Sequence, residues 1–246
     1  MKKLLEICCC SLDDALQAEA GGANRIELNS ALEAGGLTPS LGCLIEVKKR
    51  LSISVIAMLR PRTGGFCYTE MEFETMLQDA ELLLQHGADG LAVGILTPER
   101  QIDFSRVQKI VDICRKYQRE SVFHRAIDVT PDPVDSVRQL IKLGVTRILT
   151  SGGAQRCLEG IGTLNRMIQE AGNQIEILGC GSVRPDNLAD IMSQTDCSQF
   201  HMACTHEMLD PSGENVQIRF NGIPSESSYK MISRKQVEKA LELLTT

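Results

Sequence analysis

Val122-Phe123-His124-Arg125-Ala126-Ile127-Asp128 reads as a short buried strand that ends in groups able to do chemistry. In extended form, alternation puts His124, Ala126 and Asp128 on one side and Phe123, Arg125 and Ile127 on the other, so an imidazole and a carboxylate share a face. The same rhythm, an apolar run tipped with charge or followed by glycines, recurs at Leu4 to Cys9, Arg25 to Asn29, Ile53 to Arg60, Gly90 to Leu96, Arg147 to Ser151, Ile175 to Cys180 and Gln199 to Met202. Helical segments fill the intervals. Ser11 caps one that stops at Gly21-Gly22, Phe73, Met76, Leu77, Ala80, Leu83 and Leu84 stripe another that stops at Gly87, and Pro133 opens one that stops at Gly144. Eight strand-helix alternations predict a TIM (β/α)8 barrel in the α/β class. An open dinucleotide-binding sheet is the weaker alternative, because no GxGxxG follows the first strand.

The chain has 246 residues, 43% of them hydrophobic and 24% charged. That suits one barrel domain over 1–246, with an irregular segment at 203–233 placed at the barrel mouth and a C-terminal helix over 234–246. The irregular segment is expected to be a lid, an ordinary surface excursion or a dimer contact. A net charge of −6 argues against a large nucleic-acid footprint. No apolar run approaches the roughly 18 residues of a membrane span, and no small-residue cleavage site follows the basic start, so a cytoplasmic protein is expected. The ten cysteines are scattered without a CxxC pair, which favours reduced thiols over disulfides or structural zinc.

Taken in phase, the strands aim Glu6, Glu27, Arg60, His124 and His201 inward, with Arg62 and Asp128 further up at the mouth. Buried charges are unfavourable unless paired or hydrogen-bonded, so such a set is either a salt-bridged plug or a polar ligand site. Gly179-Cys180-Gly181-Ser182-Val183-Arg184-Pro185 is a glycine-rich turn into a helix start, where backbone N–H groups and Arg184 can hold a phosphate or carboxylate, or where glycines only turn the chain. One strand earlier, Thr150-Ser151-Gly152-Gly153 offers hydroxyl and amide donors, and Arg25 and Arg125 complete the candidate ligand-binding set. His201-Met202-Ala203-Cys204-Thr205-His206-Glu207-Met208 alternates sulfur and imidazole, donors that suit Cu(I). Cys8 and Cys10 share a strand face with Glu6 and invite the same reading, the alternative being buried cysteine as a small hydrophobe.

Leu5-Glu6-Ile7-Cys8, Asn24-Arg25-Ile26-Glu27-Leu28, Glu33-Ala34-Gly35-Gly36-Leu37-Thr38-Pro39-Ser40, Arg60-Pro61-Arg62 with Gly65-Phe66-Cys67-Tyr68, Phe123-His124-Arg125-Ala126-Ile127-Asp128, Leu149-Thr150-Ser151-Gly152 and Gly179-Cys180-Gly181-Ser182-Val183-Arg184 together resemble the copper homeostasis protein CutC family. The resemblance implies a cytoplasmic TIM barrel, a homodimer, and a link to copper tolerance with Cu(I) binding. It also implies cysteines on the first two strands as copper ligands; Cys8 fits the first, and Asn29 stands where relatives often carry the second. No enzymatic reaction comes with it.

Two functions follow. In the first, ranked ahead as the role, the protein sequesters or delivers Cu(I) through Cys8, assisted by Cys10 or the Cys204 cluster. In the second, the mouth binds a small anionic metabolite through Arg60, Arg62, Arg184 and the Gly181 turn, while His124 moves a proton and Glu6, Glu27 or Asp128 orients it or acts as base.

Overall fold

Alternation along each strand divides the side chains between a lumen and an outer layer. The structure, a computed structural model, describes residues 3–213 and 228–245. Its first half runs β1 (Leu4–Cys9), α1 (Leu12–Ala20), β2 (Arg25–Leu28), α2 (Leu41–Arg50), β3 (Ser54–Met58), α3 (Glu70–Gln85), β4 (Gly90–Val93) and α4 (Phe104–Lys116). The second half continues through β5 (Glu120–Phe123), α5 (Pro133–Leu143), β6 (Arg147–Thr150), α6 (Cys157–Ala171), β7 (Glu176–Gly179), α7 (Leu188–Met192) and β8 (Gln199–Met202). Strands β1 to β8 are parallel and close in chain order, β8 pairing with β1, which makes this a TIM (β/α)8 barrel. Polar caps start the helices where the sequence places them: Ser11 Oγ accepts from the Asp14 N–H at 3.0 Å, and Asp132 accepts from the Val134 N–H at 2.9 Å with Pro133 in the first turn.

Leu5, Ile7 and Cys9 of β1, with Ile26 and Leu28 of β2, face outward into the core shared with the helices. The lumen is uneven. Ile56, Met58, Ala92, Val122, Leu149, Leu178 and Cys180 line it from β3 round to the end of β7, whereas β8, β1 and β2 contribute His201, Glu6, Cys8, Arg25 and Glu27. Register makes neighbours of these: Glu6 pairs laterally with both Arg25 and His201, and Cys8 with Glu27. Ion pairs close the lower lumen, Glu6 with Arg25, and Arg147 with Glu120 at 3.0 Å and Glu176 at 2.7 Å.

Two expectations are corrected. Strand β5 stops at Phe123, and Arg125–Val129 forms a 3-10 turn. The cause is local: the Ala126 N–H turns back onto His124 Nδ1 at 3.1 Å, so the extended conformation ends at His124. Asp128 therefore does not follow His124 on one strand face. The segment 203–233 is not irregular at its ends, because β9 (Thr205–Leu209) and β10 (Ser228–Ile232) form an antiparallel hairpin that is tied to α1 by the Ile232 N–H donating to Asp14 Oδ1 at 2.8 Å. The stretch 214–227 lies outside the described residues. The final helix, α8, spans Arg234–Thr245.

Candidate functional site

Three donors meet on the polar side of the lumen. Cys8, Glu27 and His201 each present one ligand atom, and these atoms lie within 4.8 Å of one another. The Cys8 thiol donates to Glu27 Oε2 across 3.8 Å, and Asn29 Nδ2 donates to the same carboxylate oxygen at 2.9 Å and to Cys8 Sγ at 3.3 Å. His201 Nδ1 bonds Glu6 Oε1 at 2.7 Å, which leaves Nε2 as the ring nitrogen for a ligand. A carboxylate behind an imidazole orients the ring and makes its free nitrogen a better donor to a metal. Arg25 holds the other oxygen of Glu6 and also reaches Gln199 Oε1 at 3.0 Å.

Burial sets the protonation of this group. It raises the Glu6 carboxyl, but the Arg25 charge and the His201 hydrogen bond outweigh it and bring the carboxyl down to about 2. Burial lowers the His201 imidazole, yet its bond to Glu6 and the charge of Glu27 prevail and raise it. Glu27 is raised, first by burial, against the pull of His201. Burial and then Glu27 push the Cys8 thiol well above its ordinary range. The metal-free site thus holds a protonated thiol beside a carboxyl that resists ionisation.

Cys10 does not join the trio. It sits past the end of β1, where its N–H donates to Asp14 Oδ2 at 3.0 Å, and burial lifts its thiol to about 11. The alternating Cys204, His206 and Met208 pattern is also split. Cys204 is buried in the outer core, His206 and Met208 lie on β9, and His201 alone points to the lumen.

At the mouth above β3 to β5, His124 is 3% exposed and its ring packs against Gly94, where a Cβ would collide with it. Burial, then the charge of Arg60, brings this imidazole down to about 3. A group with that value is neutral at ordinary pH. Arg60 is buried, with Nη1 on the carbonyls of Ala34 and Gly36 and Nη2 on that of Gly64. Arg62 points elsewhere: it pairs with Glu72 and pins the carbonyls of Thr63, Gly65 and Cys67.

Asp128 holds the loop after β6. Its Oδ1 accepts from Thr150 Oγ1 at 2.5 Å and from the Ser151 and Gly153 N–H groups at 3.1 Å each, while Oδ2 accepts from Arg125 Nε and Ser151 Oγ at 2.9 Å. Arg125 Nη2 also reaches Ser151 Oγ at 2.7 Å and the Ala154 carbonyl at 3.0 Å. Arg125 and Ser151 are thus spent on each other rather than offered to a ligand. Gly152 and Gly181 adopt φ of +73° and +91°, and a Cβ on either would meet Gly160 or Ser151, so close packing accounts for both glycines. Arg184 is exposed at this rim.

Asn29, Phe66 and Tyr68 lie outside the candidate site residues that the sequence supplies. Asn29 touches Cys8 and Glu27; Tyr68 is buried, and Phe66 lies 5.0 Å from the His124 ring and 5.4 Å from the Arg60 guanidinium carbon. Their signal was spacing only, two residues past Glu27 for Asn29 and an aromatic pair in the loop after Arg60.

With this geometry in hand, three comparisons agree. The model of the CutC family matches residues 3–206. The family protein CutC of Treponema denticola is 42% identical over 243 residues, 98% of each chain, and the human copper homeostasis protein cutC homolog is 40% identical over 231 residues, 93% of this chain and 83% of that one. The crystal structure of a CutC protein from Streptococcus agalactiae superposes with a TM-score of 0.76 at 34% identity, covering 81% of this chain and 97% of its own. A shared barrel could arise without common descent, but sequence identity this high across almost the full length could not, and the chain belongs to the CutC family.

Proposed function

We propose that this protein binds Cu(I) as cargo inside the barrel and acts in the cytoplasm in copper tolerance, with Cys8 Sγ and His201 Nε2 as the principal ligands and Glu27 beside them. The observation that carries the reading is the approach of the Cys8, Glu27 and His201 ligand atoms to within 4.8 Å of one another in a buried lumen. Thiolate and imidazole are donors that Cu(I) favours. Charge supports the monovalent ion. Cys8 is protonated in the metal-free site, so Cu(I) entering as the thiol proton leaves exchanges one positive charge for another, whereas a divalent ion would add net charge to a low-dielectric interior. Asn29 keeps an amide beside the sulfur without supplying a second thiolate. The copper homeostasis names of the human and mouse relatives point to the same metal.

The test is a Cu(I) titration of the reduced protein against a competing chelator, with Cys8→Ser and His201→Gln alongside. One tightly held equivalent, lost in Cys8→Ser and weakened in His201→Gln, is expected. Equal affinity in wild type and Cys8→Ser would remove the lumen thiolate from the metal site.

A further inference from the structure

Outside the copper site, the mouth of the barrel carries three buried polar groups that no described residue satisfies: His124 Nε2, Arg60 Nε and the Tyr68 hydroxyl. Two of them flank one ring, Phe66, which lies 5.0 Å from the His124 ring and 5.4 Å from the Arg60 guanidinium carbon. Tyr68 is near enough to Arg60 for the guanidinium to oppose the rise that burial imposes on its phenol.

Two of the groups are donors by constraint, and the Tyr68 hydroxyl is free to turn its O–H toward an acceptor. A neutral imidazole has one ring proton and one acceptor nitrogen; the Ala126 N–H occupies His124 Nδ1 at 3.1 Å, so the proton sits on Nε2. Arg60 carries a full charge at 7% exposure, yet its three hydrogen bonds go to the carbonyls of Ala34, Gly36 and Gly64, and among the described residues no carboxylate forms an ion pair with it. The other buried arginines among the described residues differ in this: Arg25 has Glu6, and Arg147 has Glu120 and Glu176. A buried cation without its anion and a buried N–H without an acceptor are both unfavourable. An anion bearing oxygen acceptors removes both penalties at once.

We propose that the mouth above β3 to β5 is an oxyanion site, in which His124 Nε2–H, Arg60 Nε–H and the Tyr68 O–H hold the oxygens of a small carboxylate or phosphate behind Phe66. The site is separate from Cys8, Glu27 and His201 and does not depend on copper. Its character is opposite to theirs, because Arg60 repels a metal cation as strongly as it attracts an anion. The small neighbour Gly94 leaves the space that the His124 ring fills, so the donor is fixed by packing before any ligand arrives. Phe66 is only partly buried, and the adjoining Gly65 has open space beside it, so a turn of the Phe66 side chain uncovers the donors.

The experiment follows the ring nitrogens of His124 by NMR in the full-length, 15N-histidine-labelled protein during titration with inorganic phosphate, with acetate, and with sodium chloride at matched ionic strength. A saturable shift of the Nε2 signal with phosphate or acetate, and not with chloride, is expected; phosphate alone would make the ligand a phosphoryl compound and acetate alone a carboxylic acid. Tyr68→Phe, which deletes one O–H and leaves the Arg60 carbonyl contacts in place, is expected to weaken binding about tenfold, and Cys8→Ser to leave it unchanged. Chloride-like behaviour of both oxyanions, or binding equally strong in Tyr68→Phe, would overturn the site.

Discussion

Acid should destabilise this protein through His124, and replacing that residue by phenylalanine should spare it. The ordinary imidazole value of 6.5 falls to about 3 in the folded chain, by burial first and by Arg60 second. The unfolded chain therefore takes up this proton at a higher pH than the folded one. The stabilisation is complete above 6.5 and is lost as pH falls toward 3, at about 1.4 kcal/mol for each pH unit. Between about pH 7.5 and about pH 4.5 the loss comes to about 3 kcal/mol, a large part of the 5–15 kcal/mol typical of a domain. Other titrations do not mask it. Glu6, held down to about 2, also contributes stability that acid removes, but its window opens below its ordinary 4.5. His201 is raised, so its contribution is present below 6.5 and fades on the alkaline side, equally in both proteins. Urea denaturation of wild type and His124→Phe at the two pH values isolates the effect. The variant strands the Ala126 N–H at both pH values, a cost of about 1–3 kcal/mol that cancels in the comparison. The wild type is expected to lose about 3 kcal/mol more than the variant on acidification. Equal losses would mean that the folded protein accepts a proton at His124, and the fixed Nε2–H would go with it.

Three further substitutions test other parts of the reasoning. Arg25→Met leaves Glu6 buried beside His201 without its guanidinium and is expected to cost about 3–5 kcal/mol in urea denaturation; a loss under about 1 kcal/mol would show that His201 alone suffices. Asp128→Ala strands the Ser151 and Gly153 N–H groups and frees Arg125, so a loss of about 3 kcal/mol or more is expected, and a neutral result would deny that this carboxylate holds the loop after β6. Asn29→Cys puts a second sulfur beside Cys8 Sγ, where the Asn29 amide now lies at 3.3 Å; Cu(I) affinity against the same chelator is expected to rise about tenfold or more, and no change would place the metal elsewhere.

The barrel was legible because its evidence is repetitive. Eight apolar runs with helical segments between them survive errors of one or two residues at every boundary, and the lumen set Glu6, Glu27 and His201 followed from phase alone once β1, β2 and β8 were in place. The partnering of side chains was less accessible. His124 and Asp128 looked like a pair because period-two alternation assumes an extended chain, and nothing in composition announces that an imidazole will capture the N–H two residues on and end the strand. Arg60 and Arg62 are two residues apart and look equivalent in sequence, yet a carboxylate ten residues on from Arg62, Glu72 in the first turn of α3, pairs with Arg62, while Arg60 has no carboxylate partner among the described residues. The hairpin of β9 and β10 is not legible in the sequence because its strands are mostly polar and at least partly exposed, and their pairing joins segments separated by a long connection.

The two proposed sites are joined by a short chain of contacts through Asn29 and Gly36. Asn29 bonds Cys8 Sγ and the Glu27 carboxylate; Gly36 packs on Asn29 Oδ1 so closely that a Cβ would not fit; and the Gly36 carbonyl receives Arg60 Nη1 at 3.0 Å. The sulfur and the uncompensated guanidinium are thus linked through two residues inside one low-dielectric wall. Because Cu(I) takes the place of the thiol proton, its entry leaves the charge facing Arg60 unchanged, so coupling between the sites runs through this chain of contacts rather than through charge. Linkage requires that the factor by which the oxyanion changes copper affinity equals the factor by which copper changes oxyanion affinity. Repeating the chelator competition in the presence of whichever anion shifts His124, and the His124 titration on copper-loaded protein, measures the coupling twice. Matching gains of about fivefold or more would tie the two sites into one device. Weaker copper binding in the presence of the anion would show that the oxyanion reaches past Asn29 and competes for the lumen itself.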